Sequence, residues 1–163
     1  MKKSAWCFLL AVTMLVAITA VGDEKPWFDM EKCAFCGQLT KHPGLLDHMT
    51  CEYHEVSNGY LMVTVVDSEY RPAYIEAEQA MEKLGADMTS GKVDPTTVYM
   101  CGSCEAYGGL MMSGANIEHI PTRLGDIMLI TSDKPDVIAA IKEYGRRSTE
   151  EMAKLEQKAG KEE

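Results

Sequence analysis

The alternation of apolar and polar positions divides the chain into extended and helical stretches. Cys51 to Val56 reads as a short strand ending at Ser57-Asn58-Gly59, a tight-turn signal. Tyr60 to Val66 is an unbroken β-favouring run, which places that strand in the centre of a sheet. Pro72 to Leu84 carries Ala73, Ala77, Ala80, Met81 and Leu84 on one helical side, with Gly85 as the expected stop. Gly91 to Pro95 is a loop. The order then begins again. A short strand is expected at Thr97–Met100, a helix at Glu105–Met112, and strands at Asn116–Ile120 and Asp126–Thr131 joined by a turn near Gly125. Asp133 caps a last helix, with Pro135 in its first turn. Val137, Ile141, Tyr144, Ser148, Met152 and Leu155 keep three-four spacing to about Gln157.

Each half therefore reads as CxxC, turn or short helix, strand, turn, strand, helix. Cys33 and Cys36 match Cys101 and Cys104 at an offset of 68, while Glu52 with Glu118, Gly59 with Gly125 and Asp67 with Asp133 match at 66. An internal duplication of a ββα unit is the expectation. The fold class expected is α+β: two ββα-type halves, about 31–92 and 93–158, forming one compact domain over 23–158. Pseudo-twofold packing around one continuous sheet would bring the two CxxC turns near each other. Residues 159–163 read as a frayed end.

Before that domain, Lys2 and Lys3 precede an apolar stretch from Trp6 to Val21, and Ala20-Val21-Gly22 supplies a small-x-small end. This is the pattern of a secretory signal peptide over residues 1–22, implying periplasmic or extracellular export; an uncleaved anchor helix is the rival reading. Cys7 lies at the start of the apolar run, not at its end, so it is no lipoprotein attachment site. Cutting after Gly22 leaves 141 of the 163 residues, and the loss of two lysines moves the formal charge from -9 to -11. That acidity argues against a nucleic-acid partner, and no membrane association is expected after cleavage. It also leaves Cys33, Cys36, Cys51, Cys101 and Cys104, an odd set for an oxidising compartment.

A CxxC at a helix start brings two sulfurs close together, where the helix dipole favours thiolate. Four chemistries fit: a redox dithiol, a two-thiolate site for a soft ion, a pooled four-thiolate zinc site, or inert disulfides. Neither motif is followed by His (Gly37 and Glu105 stand there), which excludes c-type haem attachment. No Ser/His/Asp set, phosphate loop or spaced carboxylate pair points to hydrolysis.

Met100, Cys101 and Cys104, then Ile117–Ile120, Gly125-Asp126-Ile127-Met128 and Val137–Ile141, make Val98 to Gly145 resemble the heavy-metal-associated domain of copper chaperones and metal-transporting ATPases. The resemblance implies a ferredoxin-like βαββαβ fold, a two-thiolate metal site at Cys101 and Cys104, and a second helix ending near Gly145.

The expected function is an exported thiolate metal-binding protein handling copper or zinc. Cys101 and Cys104 are its first ligands, and Cys33 and Cys36 complete or duplicate the site. Its partners are the metal ion and another exported metal or redox protein. A thiol–disulfide redox protein cycling Cys101 and Cys104, and a structural protein stapled by CxxC disulfides, remain open. Met100, His48, Cys51 and His54 are further candidate ligands. Against this, Cys51 reads as core, Cys51 and His54 face opposite sides of a strand, and Met100, Met111 and Met112 read as core filler. His119 reads as a strand-surface residue, and Asp23–Met30 as an exposed lead-in.

Overall fold

The computed structural model describes residues 25–159, so the expected signal peptide, with Cys7, and the end beyond Ala159 lie outside the described residues. Helix α1 (Gly37–Thr40) follows the first CxxC, and strands β1 (Met49–Val56) and β2 (Gly59–Val66) form a hairpin. Helix α2 (Arg71–Thr89) follows, then α3 (Gly102–Ser113), the hairpin β3 (Asn116–Pro121) and β4 (Gly125–Thr131), and the long helix α4 (Pro135–Ala159). The four strands make one antiparallel sheet in the order β1-β2-β4-β3. The mixed α/β class is as expected, and the β-favouring run at 60–66 does take an interior position.

The two hairpins share one register. Adding 66 to both partners of Thr50↔Val65 gives Asn116↔Thr131, a pair that β3 and β4 do form. Across the centre, Met62 pairs with Met128, the two positions being each other's equivalents at the same offset. The matching glycines have a shared cause. A Cβ on Gly59 would lie 1.9 Å from the Ile130 carbonyl oxygen, and one on Gly125 1.8 Å from that of Thr64. Each glycine thus lets β2 and β4 close on each other at one end of their shared ladder.

Strand alternation sends Met49, Cys51, Tyr53, Tyr60, Met62, Thr64, Val66, Ile117, His119, Asp126, Met128 and Ile130 to one face. Both hydrophobic clusters draw on this face. The larger joins Tyr60, Met128 and Ile130 to Leu110 of α3 and to Val137 and Ile141 of α4. The smaller joins Val66 to Leu45 and to Tyr74 and Ala77 of α2.

Several sequence expectations need correcting. Helix α2 runs through Gly85, whose Cβ would meet nothing, and the chain turns instead at Gly91 with φ +74°. Residues 97–100 join no ladder: Pro95–Thr97 is a 3-10 turn, Val98 is its C-cap, and Tyr99 and Met100 lead directly into Cys101. The strand that a βαββαβ order puts before this CxxC is therefore absent among the described residues. Met111 and Met112 are exposed, at 56% and 91%, because they sit at the solvent-facing end of α3 rather than in the core.

Gly145 does not end a helix. It lies inside α4, where the Tyr60 ring packs so closely that a Cβ would sit 2.1 Å from it, and the Tyr60 hydroxyl donates to the Gly145 carbonyl at 2.9 Å. Gly145→Ala should cost about 1–3 kcal/mol through overpacking. Tyr60→Phe, which keeps the ring and deletes a hydroxyl that meets the Gly145 carbonyl and the Thr149 hydroxyl, should cost about 1 kcal/mol. Denaturant unfolding of the two variants gives this ranking directly.

Candidate metal centre

Two segments remote in sequence build the centre. Cys33 and Cys36 bracket a turn that runs into α1, with the Gly37 N–H donating to the Cys33 carbonyl at 2.8 Å. Cys101 is the N-cap of α3 and Cys104 lies in its first turn. The Ala34 N–H donates to the Tyr99 carbonyl at 3.0 Å, which fixes one turn against the other.

The lead-in completes the frame. A helix start leaves amide donors without intrahelical partners. Here the Gly102 and Ser103 N–H groups donate to the Pro26 and Trp27 carbonyls at 3.0 and 2.8 Å. Trp27 is only 7% exposed and Phe28, Asp29 and Met30 are half-buried, so the reading of an exposed lead-in is overturned from Trp27 onward; Asp23 and Glu24 lie outside the described residues. Its indole N–H donates to Ser148 at 3.1 Å, its ring meets Tyr144 at 5.7 Å, and the Arg147 guanidinium lies 4.3 Å from the ring centroid. A lone tryptophan before the first turn carries no periodic signal. The small, polar Ser148 on the apolar stripe of α4 was the one available clue.

The four sulfurs of Cys33, Cys36, Cys101 and Cys104 all lie within 4.8 Å of one another. The Cys33–Cys104 and Cys36–Cys104 separations are 3.5 Å and Cys36–Cys101 is 3.6 Å. A disulfide bond is about 2.05 Å, and none joins these cysteines. Four thiolates about 2.3 Å from one tetrahedral ion stand roughly 3.8 Å apart. The three separations fall within a few tenths of that edge, and all three run across the two motifs. Cys33 and Cys101 are buried, while Cys36 and Cys104 are half-buried. The arrangement can hold one ion in a closed four-sulfur shell.

The thiols titrate as a set. Hydrogen bonding from Cys101 first, then Cys104 and Cys36, holds Cys33 far below the usual thiol range, and the Cys101 N–H adds to this. Cys101, hydrogen-bonded chiefly by Cys104 and also by the Cys104 N–H, is brought down to about 6. Cys36 and Cys104 are pushed up, each chiefly by its hydrogen bond with Cys101 and further by burial. Cys33 and Cys101 are thus the more acidic pair of the metal-free set, and Cys36 and Cys104 the less acidic.

The other candidate ligands are not gathered here. His48 is bound through Nδ1 to Asp67 at 2.8 Å and stacks on Tyr70 at 4.1 Å. Cys51 faces the helical side, its sulfur 3.7 Å from the Thr64 hydroxyl, whereas His54 points to the opposite face and pairs with Glu52 at 3.4 Å. Strand pleating separates Cys51 from His54, as the alternation argument implies. Met100 lines a separate cleft of about 400 Å³ with Lys25, Val98 and Glu105. Comparison with known proteins finds no family model, curated protein or solved structure that matches the chain.

The shifts fix a pH dependence for the reduced, metal-free chain. Cys33 and Cys101 are depressed, so their contribution is present above the unfolded thiol pKa and lost as pH falls, through about 6 for Cys101. Cys36 and Cys104 are raised, so their contribution is present below that unfolded pKa and lost as pH rises beyond it. Thermal melting under anaerobic conditions should therefore peak near the ordinary thiol pKa, roughly 8–9, and fall on both sides.

Proposed function

We propose that this chain is an exported metal-binding protein that holds one zinc-class ion between its two CxxC motifs. The convergence of Cys33, Cys36, Cys101 and Cys104 within 4.8 Å carries the reading. A soft four-sulfur tetrahedral set favours zinc, whereas copper(I) is satisfied by fewer thiolates. All four ligands come from this chain and two are buried, which leaves no open position for handing an ion over. The ion then serves the fold, fastening the lead-in and α3 to the rest. The likeness to heavy-metal-associated domains supports the same ligand chemistry at Cys101 and Cys104, here widened to four sulfurs. On this reading, residues 1–22 direct export and are removed, and the halves descend from one duplicated ββα unit, as the shared hairpin register supports. The implied partner is another exported metal or redox protein that loads the site or keeps it reduced.

One observation favours a redox reading as the second choice. Cys36 and Cys104 are the more accessible pair and lie 3.5 Å apart. Once one of these thiols passes its proton to neighbouring Cys33 or Cys101, it could attack a small-molecule disulfide, forming a mixed disulfide and releasing one small thiol. The second thiol would then displace the remaining small thiol, closing a bond across the motifs.

Anaerobic purification of the chain beginning at Asp23 should yield one zinc per chain and four protected thiols. Any one of the four Cys→Ser substitutions should lower affinity at least 100-fold, while Cys51→Ser should leave stoichiometry unchanged. Substitution with cobalt(II) should give the thiolate charge-transfer absorption of a four-sulfur tetrahedral site. Metal-free protein that also fails to bind zinc or copper(I) when reduced sinks the proposal. A Cys36–Cys104 disulfide in the purified chain would favour the redox reading.

A further inference from the structure

The second face of the sheet carries a different kind of surface. Its outward positions are Thr50, Glu52, His54 and Val56 on β1, Leu61, Val63 and Val65 on β2, Ile127, Leu129 and Thr131 on β4, and Asn116, Glu118 and Ile120 on β3. Five aliphatic side chains on the two interior strands and Ile120 beside them form one continuous apolar strip. Neither hydrophobic cluster includes any of these side chains. Val65 and Ile120 are 40% and 45% exposed, and Leu61, Val63, Ile127 and Leu129 are half-buried.

The edges of the strip are acidic. Glu52 on β1 and Glu118 on β3 are both exposed, and no lysine or arginine occupies any outward strand position. The pattern occurs twice in register. Glu52 and Glu118 are equivalent at the offset of 66, as are Leu61 and Ile127, and Val63 and Leu129. Asn116 holds Glu118 at 2.8 Å and His54 meets Glu52 at 3.4 Å, leaving each carboxylate at a fixed place on its edge.

We propose that this face docks an amphipathic helix of another protein, with an apolar stripe flanked by lysine or arginine. Two arguments select that occupant. The first is charge: a cationic flank meets Glu52 and Glu118, while a second copy of this acidic chain, or an anionic lipid surface, brings like charge to both edges. The second is size. Four strands about 4.8 Å apart and roughly seven residues long at about 3.3 Å each give a face of roughly 400 Å². A stable dimer needs about 800 Å² from each partner. A helix of about 18 residues, some 27 Å long, matches the strand length and covers the strip.

The test uses the zinc-loaded chain and two dye-labelled synthetic 18-residue helical peptides. They share a leucine stripe, flanked by lysine in one and by glutamate in the other. Fluorescence anisotropy should show saturable binding of the lysine-flanked peptide and at least tenfold weaker binding of the other. E52Q with E118Q should weaken the first at least fivefold, and V63S with L129S at least tenfold. Unchanged zinc content and far-ultraviolet circular dichroism show that the variants remain folded. Binding that survives V63S with L129S is mere charge attraction and overturns the proposal, as does no binding at all. Sedimentation showing a dimer that V63S with L129S dissociates assigns the face to a second copy and also overturns it. Apart from the zinc content, none of these readouts depends on the zinc assignment, since the peptides can be titrated equally into whatever metal state the purified chain adopts and circular dichroism alone then reports folding.

Discussion

Four sulfurs drawn from two distant turns, all within 4.8 Å of one another, are the constraint on which the rest depends. Burial penalises each thiolate, and each new charge raises the cost of the next. The protein meets part of that cost with the N–H groups of Cys101 and Cys104 and by making Cys36 and Cys104 less acidic. A bound cation would answer the rest, because it would replace sulfur–sulfur repulsion with four attractive contacts. The frame is tuned to the cluster at backbone level. The Ala34–Tyr99 bond and the two carbonyls of Pro26 and Trp27 set the turns before any side chain is counted.

What the sequence disclosed about this follows from locality. The CxxC spacings, the Ser57-Asn58-Gly59 turn and the strand runs are encoded within a few residues, so both hairpins and the pairing of the motifs were readable. The offset of 66 was readable too, although its cause was not: Gly59 and Gly125 match because each faces the other interior strand's carbonyl. Trp27 was missed because one residue has no period. The helix stop fell at Gly91 rather than Gly85 because an isolated glycine is tolerated within a helix, whereas a positive φ marks the end. The continuous apolar run of β2 was read as central, and it is. A run apolar on both sides nevertheless does not say whether both faces are covered, and here the helical clusters use only one.

The covered face is itself divided. Between the two hydrophobic clusters runs the cross-strand row Cys51, Thr64, Asp126 and Pro121. Thr64 and Asp126 are 3% and 5% exposed, and they occupy the positions equivalent to Ile130 and Tyr60 of the larger cluster. Where α4 packs on an apolar pair, α2 faces a polar one. A buried carboxylate needs partners. Asp126 meets His119 Nδ1 at 3.3 Å, and His119 Nε2 meets the Tyr107 hydroxyl at 3.2 Å, so a residue that reads as strand surface links the sheet to α3. Glu78 of α2, raised chiefly by burial and also by the charge of Asp126, closes the other side.

A polar row between two small clusters weakens the cooperation a single core would supply, and the cysteine centre lies where it can restore it. Cys36 leads directly into α1, whose Leu39 packs on the α2 cluster, and six residues later Leu45 is fully buried in it. Cys101 and Cys104 open α3, whose Leu110 belongs to the α4 cluster. Trp27 carries the same frame onto α4 through Ser148 and Tyr144. One ion held by all four sulfurs would therefore join, through short stretches of chain, the two clusters that Thr64 and Asp126 keep apart. The ligands need not be exposed to an incoming substrate for this role. They need to come from both halves, and three sulfur–sulfur contacts of 3.5 to 3.6 Å do cross between the motifs.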